Sequence, residues 1–286
     1  MKTVQHASHT PVERARPFLK WAGGKRRLLG QYADYFPLPS TIGRYYEPFI
    51  GSAAVFFHLQ PAGACLADVN QNLVEVYRAV QQDVESVIKA LKAHKNEVDY
   101  YYRIRAQDPA GLTLAQRAAR LIFLNRTCYN GLYRENQKGQ FNVPFGRYDN
   151  PTICDEDRLR QASKALQGAE LAVGDFESVV APAGPGDFVY FDPPYVPLSD
   201  TSSFTAYNRF GFDLDDQRRL ARVIERLTRR GCQVMLSNSS AELVYELYDR
   251  LEYRLVPIQA LRSINSKAER RGPVKELLIL NYGPGV

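Results

Sequence analysis

Apolar positions along the chain fall into two rhythms. Short apolar runs, bounded by Gly, Pro, Asp or Asn, occur at 45–50, 64–67, 170–173, 186–191, 232–238, 253–257 and 277–280. Runs of this length and flanking read as strands, and the unbroken run at 186–191 as one buried in a parallel sheet. Between them the spacing becomes helical. From Gln71 to about Arg105, apolar Leu73, Val76, Tyr77, Val80, Val84, Val87, Ile88 and Leu91 predict one long amphipathic helix, broken at Pro109 and Gly111. A second helix is predicted from about Thr113, with Ala118, Leu121, Ile122 and Leu124 on one face. Shorter helices are expected from Lys25 to about Tyr35, around 55–57, at 159–166, from a cap at Asp213 to about Arg229, and at 243–251. Strands alternating with helices define an α/β, Rossmann-like architecture. The stretch 125–148 departs from that rhythm. It is polar, turns at Lys138-Gly139, and predicts a β-hairpin rich in Asn, Arg and Tyr.

Chemistry-bearing residues gather at the strand ends, where open α/β sheets place ligands. The run 186–191 exits into Asp192-Pro193-Pro194-Tyr195. Two prolines keep that turn extended and remove two N–H donors, so its carbonyls stay free to accept. A carboxylate, aimed carbonyls and a flat ring in one rigid turn suit a planar amine such as a nucleobase; the plainer alternative is an ordinary strand-exit turn. The first strand turns through Gly51-Ser52-Ala53-Ala54 into a helix, a unit whose N–H groups face a ligand. The second strand ends at Asp68, about 20 residues after that turn's start, where Rossmann-like folds hold ribose hydroxyls. The turn is not G-x-G-x-x-G, which argues against a dinucleotide. Trp21, the single tryptophan, precedes Gly23-Gly24-Lys25, where glycines permit close approach to a ligand; a core Trp beside a hinge is the alternative. In the hairpin, Arg and Asn are residues that read base edges and Tyr can stack or wedge, against the alternative of a solvated turn. A basic loop at 262–272 offers phosphate contacts or plain solubility.

Composition changes this picture little. The 286 residues are 45% hydrophobic and 24% charged, as in a soluble globular protein. A net charge of +6 is compatible with a polyanionic partner without establishing one. Cys65, Cys128, Cys154 and Cys232 are scattered, form no C-x-x-C pair and suggest no metal site. With no membrane-length apolar run and no signal segment, a cytoplasmic protein is expected. Residues 1–16 are polar and expected to form a tail.

Taken in order, the motifs F-L-K-W-A-G-G-K (18–25), E-P-F-I-G (47–51), L-A-D (66–68), N-R-T-C-Y-N-G-L-Y-R (125–134), N-V-P-F-G-R-Y (142–148) and D-P-P-Y (192–195) resemble the Dam-type DNA adenine-N6 methyltransferases, which use S-adenosylmethionine. The resemblance runs from about Pro17 to Tyr282. It implies a seven-stranded α/β methyltransferase sheet at 17–70 and 151–286, with an inserted helical and hairpin target-recognition domain at 71–150. It also implies cofactor contacts at Trp21, Lys25 (to the methionine carboxylate), Phe49, Gly51, Asp68 (to the ribose), Asp175, Phe176 and Asp192. Lys20, Tyr129, Asn130, Leu132, Arg134 and Pro144 fall on its DNA-contacting positions, with Arg134 reading a guanine and Tyr129 and Asn130 aiding base extrusion. The implied chemistry is methyl transfer to adenine in double-stranded DNA, by Asp192, Pro193 and Tyr195, at GATC and without metal. One departure is Ala53, where the family usually has a second glycine (F-x-G-x-G). Ala disfavours positive φ, so this turn is expected at negative φ. A monomer is expected; a cognate restriction endonuclease remains an open partner. Methylation at another site, a non-catalytic DNA-binding relative, methylation of RNA or of glutamine, and a nicotinamide oxidoreductase are the rival readings.

Overall fold

The computed structural model describes residues 15–198, 211–261 and 273–283. Each apolar run becomes a strand: β1 Tyr45–Glu47, β2 Ala64–Asp68, β3 Ala169–Val173, β4 Phe188–Phe191, β5 Gln233–Ser239, β6 Arg254–Leu261 and β7 Pro273–Leu280. They form one seven-stranded sheet in the order β3-β2-β1-β4-β5-β7-β6. The pairs β1–β2, β2–β3, β1–β4 and β4–β5 are parallel. β7 runs antiparallel to both β5 and β6. The chain steps outward from β1 to β3 and then returns to lay β4 beside β1. The order therefore reverses between β1 and β4, and the carboxyl ends of those strands flank a crevice. Because β7 is reversed, its early residue Glu276 pairs with Ser239 at the end of β5.

The helices are more divided than periodicity predicts. The single helix expected from 71 to about 105 is three: α3 Gln71–Gln82, α4 Val84–Lys92 and α5 Val98–Ala106. Asp83, at φ −152°, leaves helical geometry and its side chain accepts from the Ser86 N–H at 3.0 Å. A capping carboxylate thus competes with the helix it interrupts while the apolar spacing runs on unchanged. The expected helix at 25–35 is likewise a 3-10 turn at Lys25–Arg27, one turn of α1 at Leu29–Tyr32 and a second 3-10 turn at Ala33–Tyr35, without side-chain caps. α6, Leu114–Thr127, starts as predicted, with a capping box between Thr113 and Gln116. The remaining helices are α2 Ala54–Leu59, α7 Glu156–Leu166, α8 Phe176–Val180, α9 Leu214–Arg229 and α10 Glu242–Tyr248.

The segment 128–145 does fold back on itself, but as two isolated antiparallel bridges, Cys128–Phe145 and Glu135–Phe141, rather than a laddered hairpin. Pro144 has no N–H to give, and Asn130 and Gly131 stand at φ +55° and +63°, so a continuous ladder cannot form. One buried cluster joins one sheet face to α3–α6, with Phe18, Tyr77, Leu121, Phe123, Tyr190 and Leu278 among its members. The other face packs Val189, Phe191 and Leu236 against Leu220, Val223 and Ile224 of α9 and Val244 of α10. Ala15 is already buried in the first cluster. The basic loop 262–272, most of the tail and most of the loop expected at 197–212 lie outside the described residues.

Candidate active site

β4 is buried along its whole length and delivers Asp192 to the crevice between β1 and β4. Its carboxylate is gripped from two sides. Lys25 Nζ lies 2.7 Å from Oδ1 and 2.8 Å from Oδ2, and the Ser237 hydroxyl donates to Oδ1 at 2.8 Å. Lys25 is only 4% exposed, so this ion pair is held largely out of water. Its ammonium also donates to the Gly23 carbonyl at 2.6 Å and sits 4.8 Å from the centre of the Tyr195 ring. Trp21, Gly23, Gly24, Lys25, Gly51 and Asp192 line one cleft together with Glu47. Lys25, expected to meet a cofactor carboxylate, is here the partner of Asp192.

The prolyl turn is fixed by a polar network from neighbouring elements. Asn238 accepts from the Val196 N–H at 3.1 Å and donates to Gln217 at 3.1 Å. Gln217, on α9, donates to the Pro194 carbonyl at 2.7 Å, and the Ser239 hydroxyl donates to the Val196 carbonyl at 2.6 Å. The Tyr195 hydroxyl donates to Glu276 at 2.7 Å. Sequence reasoning missed Gln217, Ser237, Asn238, Ser239 and Glu276. A signal for three of them was present: Ser237-Asn238-Ser239 puts consecutive polar residues at the end of an apolar strand, and all three are buried. Polar groups in such a position must find partners.

The turn after β1 corrects one expectation. Ala53 does take positive φ, at +53°, as does Gly51 at +44°. The Ala53 N–H donates to Ile50 at 2.6 Å and its side chain is wholly buried, so packing imposes the left-handed backbone that alanine disfavours. At Gly51 a Cβ would come within 3.0 Å of the Trp21 ring, so glycine lets the indole lie against the turn. Asp68 accepts from the Asn70 N–H at 3.0 Å and faces the Gly51 N–H at 3.5 Å; burial pushes its carboxyl up to about 6. Glu47, whose one oxygen accepts from the Tyr45 hydroxyl at 2.8 Å and the Phe56 N–H at 3.2 Å, is pushed by burial to about 8.

Phe49 stacks on Phe176 with ring centres 5.6 Å apart. Arg219 lies 4.2 Å over the Phe176 ring and holds Asp175 through two contacts of 2.8 Å, which keeps that carboxyl below its usual range. Asp175 and Phe176 thus stand beside Phe49, with Asp175 committed to Arg219.

The expected DNA-contacting residues gather around the start of the folded-back segment. Tyr129 is 51% exposed and its N–H donates to the Pro144 carbonyl at 2.9 Å. Asn130 and Pro144 are also exposed, while Leu132 packs against the core. Arg134 is exposed, and its guanidinium is braced by Asn142 Oδ1 at 2.6 Å. Lys20 lies beneath this segment: its N–H donates to Asn125 at 2.8 Å, its carbonyl accepts from Asn125 at 2.7 Å, and its ammonium sits 4.6 Å from the Tyr148 ring centre. Burial, with Arg126 nearby, lowers its pKa. Trp21 stacks on Tyr133 at 5.1 Å, so the glycine-rich cleft and the folded-back segment touch directly. Among the described residues no His, Cys, Asp and Glu cluster could hold a metal, and no helix is long and apolar enough to cross a membrane.

An α/β sheet reversing beside an Asp-Pro-Pro-Tyr turn is the framework of an amino-group methyltransferase. Residues 21–264 match the model of the D12 class N6 adenine-specific DNA methyltransferases, and the chain belongs to that family. It is 43% identical over 276 residues to the Type II methyltransferase M1.LlaDCHI of Lactococcus lactis subsp. cremoris, covering 94% of this chain and 96% of that one. It is 37% identical over 279 residues to the DNA adenine methylase of Escherichia coli (strain K12), covering 96% and 98%. The protein is an adenine-specific DNA methyltransferase.

Proposed function

We propose that the chain moves the methyl group of S-adenosylmethionine to N6 of an adenine extruded from duplex DNA, at GATC. The observation that carries this reading is the Asp192 carboxylate, oriented by Lys25 and Ser237 at the sheet's switch point beside the Gly51 turn. The cleft suits the donor: Gly51 leaves room that a Cβ would take from Trp21, and Asp68 is a half-buried acceptor at the end of β2, matched to ribose hydroxyls. Bound there, S-adenosylmethionine supplies an already activated methyl group.

The protein's own contribution is to prepare the nucleophile. Adenine's amino lone pair is delocalised into its ring, and the base must leave the duplex at a cost of about a few kcal/mol. Stacking on Tyr195 returns roughly 1–3 kcal/mol of this. One amino hydrogen donates to Asp192 and the other to the Pro193 carbonyl, since Gln217 already holds the carbonyl of Pro194. Both bonds strengthen as the nitrogen becomes tetrahedral and positive, so they favour the transition state. Asp192 then stands where the surplus proton of the methylated amine must be accepted. Lys25, between Asp192 and the glycine-rich cleft, serves both the carboxylate and the donor.

Specificity belongs to the exposed segment. Arg134, braced by Asn142, reads a guanine, with Lys20, Leu132 and Pro144 beside it, while Tyr129 and Asn130 enter the stack as the adenine leaves. The likeness of this segment to Dam-type enzymes is what supports GATC. The relatives named Type II methyltransferases favour a second reading of the biological setting, in which a restriction endonuclease shares the site.

The test is to methylate mixed-sequence DNA with the purified protein and map modified bases. GATC should dominate. Another dominant adenine site would overturn the specificity and leave the chemistry; modified cytosine would overturn both. Asp192→Ala should abolish methyl transfer while duplex binding survives, and near-normal turnover by that variant would remove Asp192 from its role.

A further inference from the structure

Glu276 has no part in the chemistry described so far, yet β7 carries it to the active edge. It lies there because β7 is reversed: its pairing with Ser239 sets an early residue of β7 level with the end of β5, next to the polar run that supports the prolyl turn. Its carboxylate accepts from the Tyr195 hydroxyl at 2.7 Å. The Tyr195 ring is consequently located at two points, by the Lys25 ammonium 4.8 Å from its centre and by Glu276 at its far tip. Pro193 and Pro194 fix the backbone before the ring, but they leave the side-chain torsions free. A base stacked on a ring inherits that ring's plane. Any tilt would carry N6 away from Asp192 and off the line of transfer, where small misplacements cost rate rather than affinity.

We propose that Glu276 is a positioning residue for methyl transfer, fixing through the Tyr195 hydroxyl the plane on which the extruded adenine stacks. This rests on the reading of Tyr195 as the stacking platform. It predicts a loss confined to the transfer step, about the size expected from one hydrogen bond.

The experiment measures the single-turnover methylation rate and the duplex Kd for Glu276→Ala, Glu276→Gln, Tyr195→Phe, Tyr195→Ala and the Tyr195→Phe, Glu276→Ala double variant, using a duplex bearing the mapped site. Glu276→Ala should lose roughly tenfold in rate with Kd unchanged. Glu276→Gln keeps an oxygen that accepts from the hydroxyl and should recover most of that loss. Tyr195→Phe should match Glu276→Ala, and the double variant should be no slower than either. If Glu276→Ala folds poorly, Tyr195→Phe removes the same bond with β7 intact. Additive losses, or a full rate in Glu276→Ala or Tyr195→Phe, would overturn the proposal. A full rate in Tyr195→Ala would instead remove the stacking platform itself. A slow Tyr195→Ala beside a fast Glu276→Ala would defeat the Glu276 proposal alone.

Discussion

Ala53 holds a left-handed backbone at φ +53°, and that conformation costs an alanine about 1–2 kcal/mol. Glycine would relieve the strain, but it would free the unfolded chain by about 0.4–1 kcal/mol and give up a buried methyl worth about 0.8 kcal/mol. Ala53→Gly should therefore melt close to the parent. Ala53→Val adds a branched side chain to a fully buried site with the same backbone and should cost roughly 2–4 kcal/mol in denaturant unfolding. Glu47 sets a pH dependence. Its carboxyl is raised by burial from 4.5 to about 8, so the folded state holds the proton more tightly than the unfolded chain does. That stability is fully present below pH 4.5, is lost as pH rises towards 8, and does not change further above it. Glu47→Gln cannot titrate, and its amide oxygen can still accept from Tyr45 and Phe56. Its stability relative to the parent should improve steadily from pH 5 to pH 8; a gap that stays constant across that range would show that Glu47 keeps its charge state. On the role proposed for Asp68, whose carboxyl is raised by burial to about 6, protonation removes an acceptor, so donor binding should weaken below pH 6 and Asp68→Asn should bind weakly with no such dependence.

At the scale of elements, the strands were legible in the sequence, as were the capped starts of α6 and α9, but the breaks inside 71–105 and 25–35 were not. An apolar run bounded by turn residues admits few conformations, and all seven such runs pair in one sheet. Helical periodicity survives a break, so the local capping at Asp83 left no trace in the apolar pattern. The acids Asp68 and Asp192 were visible because each stands at the carboxyl end of its own apolar run, whereas Glu47, at the end of β1, was read only as part of a strand. Gln217, Ser237 and Glu276 act on Asp192-Pro193-Pro194-Tyr195 from other elements, and only the strand order brings them there. Asn125 is the same kind of residue. Near the end of α6 it accepts from the Lys20 N–H and donates to the carbonyls of Lys20 and Gly131, tying the segment before the glycine-rich cleft to the folded-back segment. Asn125→Ala strands three backbone groups and should cost about 2–4 kcal/mol of stability. Calorimetry on that variant should also find both donor and duplex binding weakened. Loss of only one would mean that the two segments are held together by other contacts.

Over the whole molecule, the helices at 71–127 and the sheet do not have separate cores. Tyr77, Leu121 and Phe123 belong to the same buried cluster as Tyr45, Phe188 and Leu278. Polar contacts run across the same boundary: Arg78 of α3 donates to the Leu171 carbonyl at 2.8 Å, and Gln81 donates to Leu166 and Ala169 at 2.7 and 2.8 Å. Trp21 stacked on Tyr133 adds a link at the active edge. A segment that shares its apolar face with the sheet cannot unfold without exposing that face, and the sheet cannot lose it without exposing its own. The segment 71–150 and the sheet should therefore melt as one unit. Scanning calorimetry should give a single transition whose calorimetric and van't Hoff enthalpies agree, and hydrogen exchange should show α3 and α6 protected to the same free energy as β4. Two resolved transitions, or early exchange confined to 71–150, would mean that the segment is an autonomous domain resting on the sheet. The distinction bears on the proposed function, because a segment that shares the core of the sheet would pass any change in the cleft directly to the residues proposed to read the duplex.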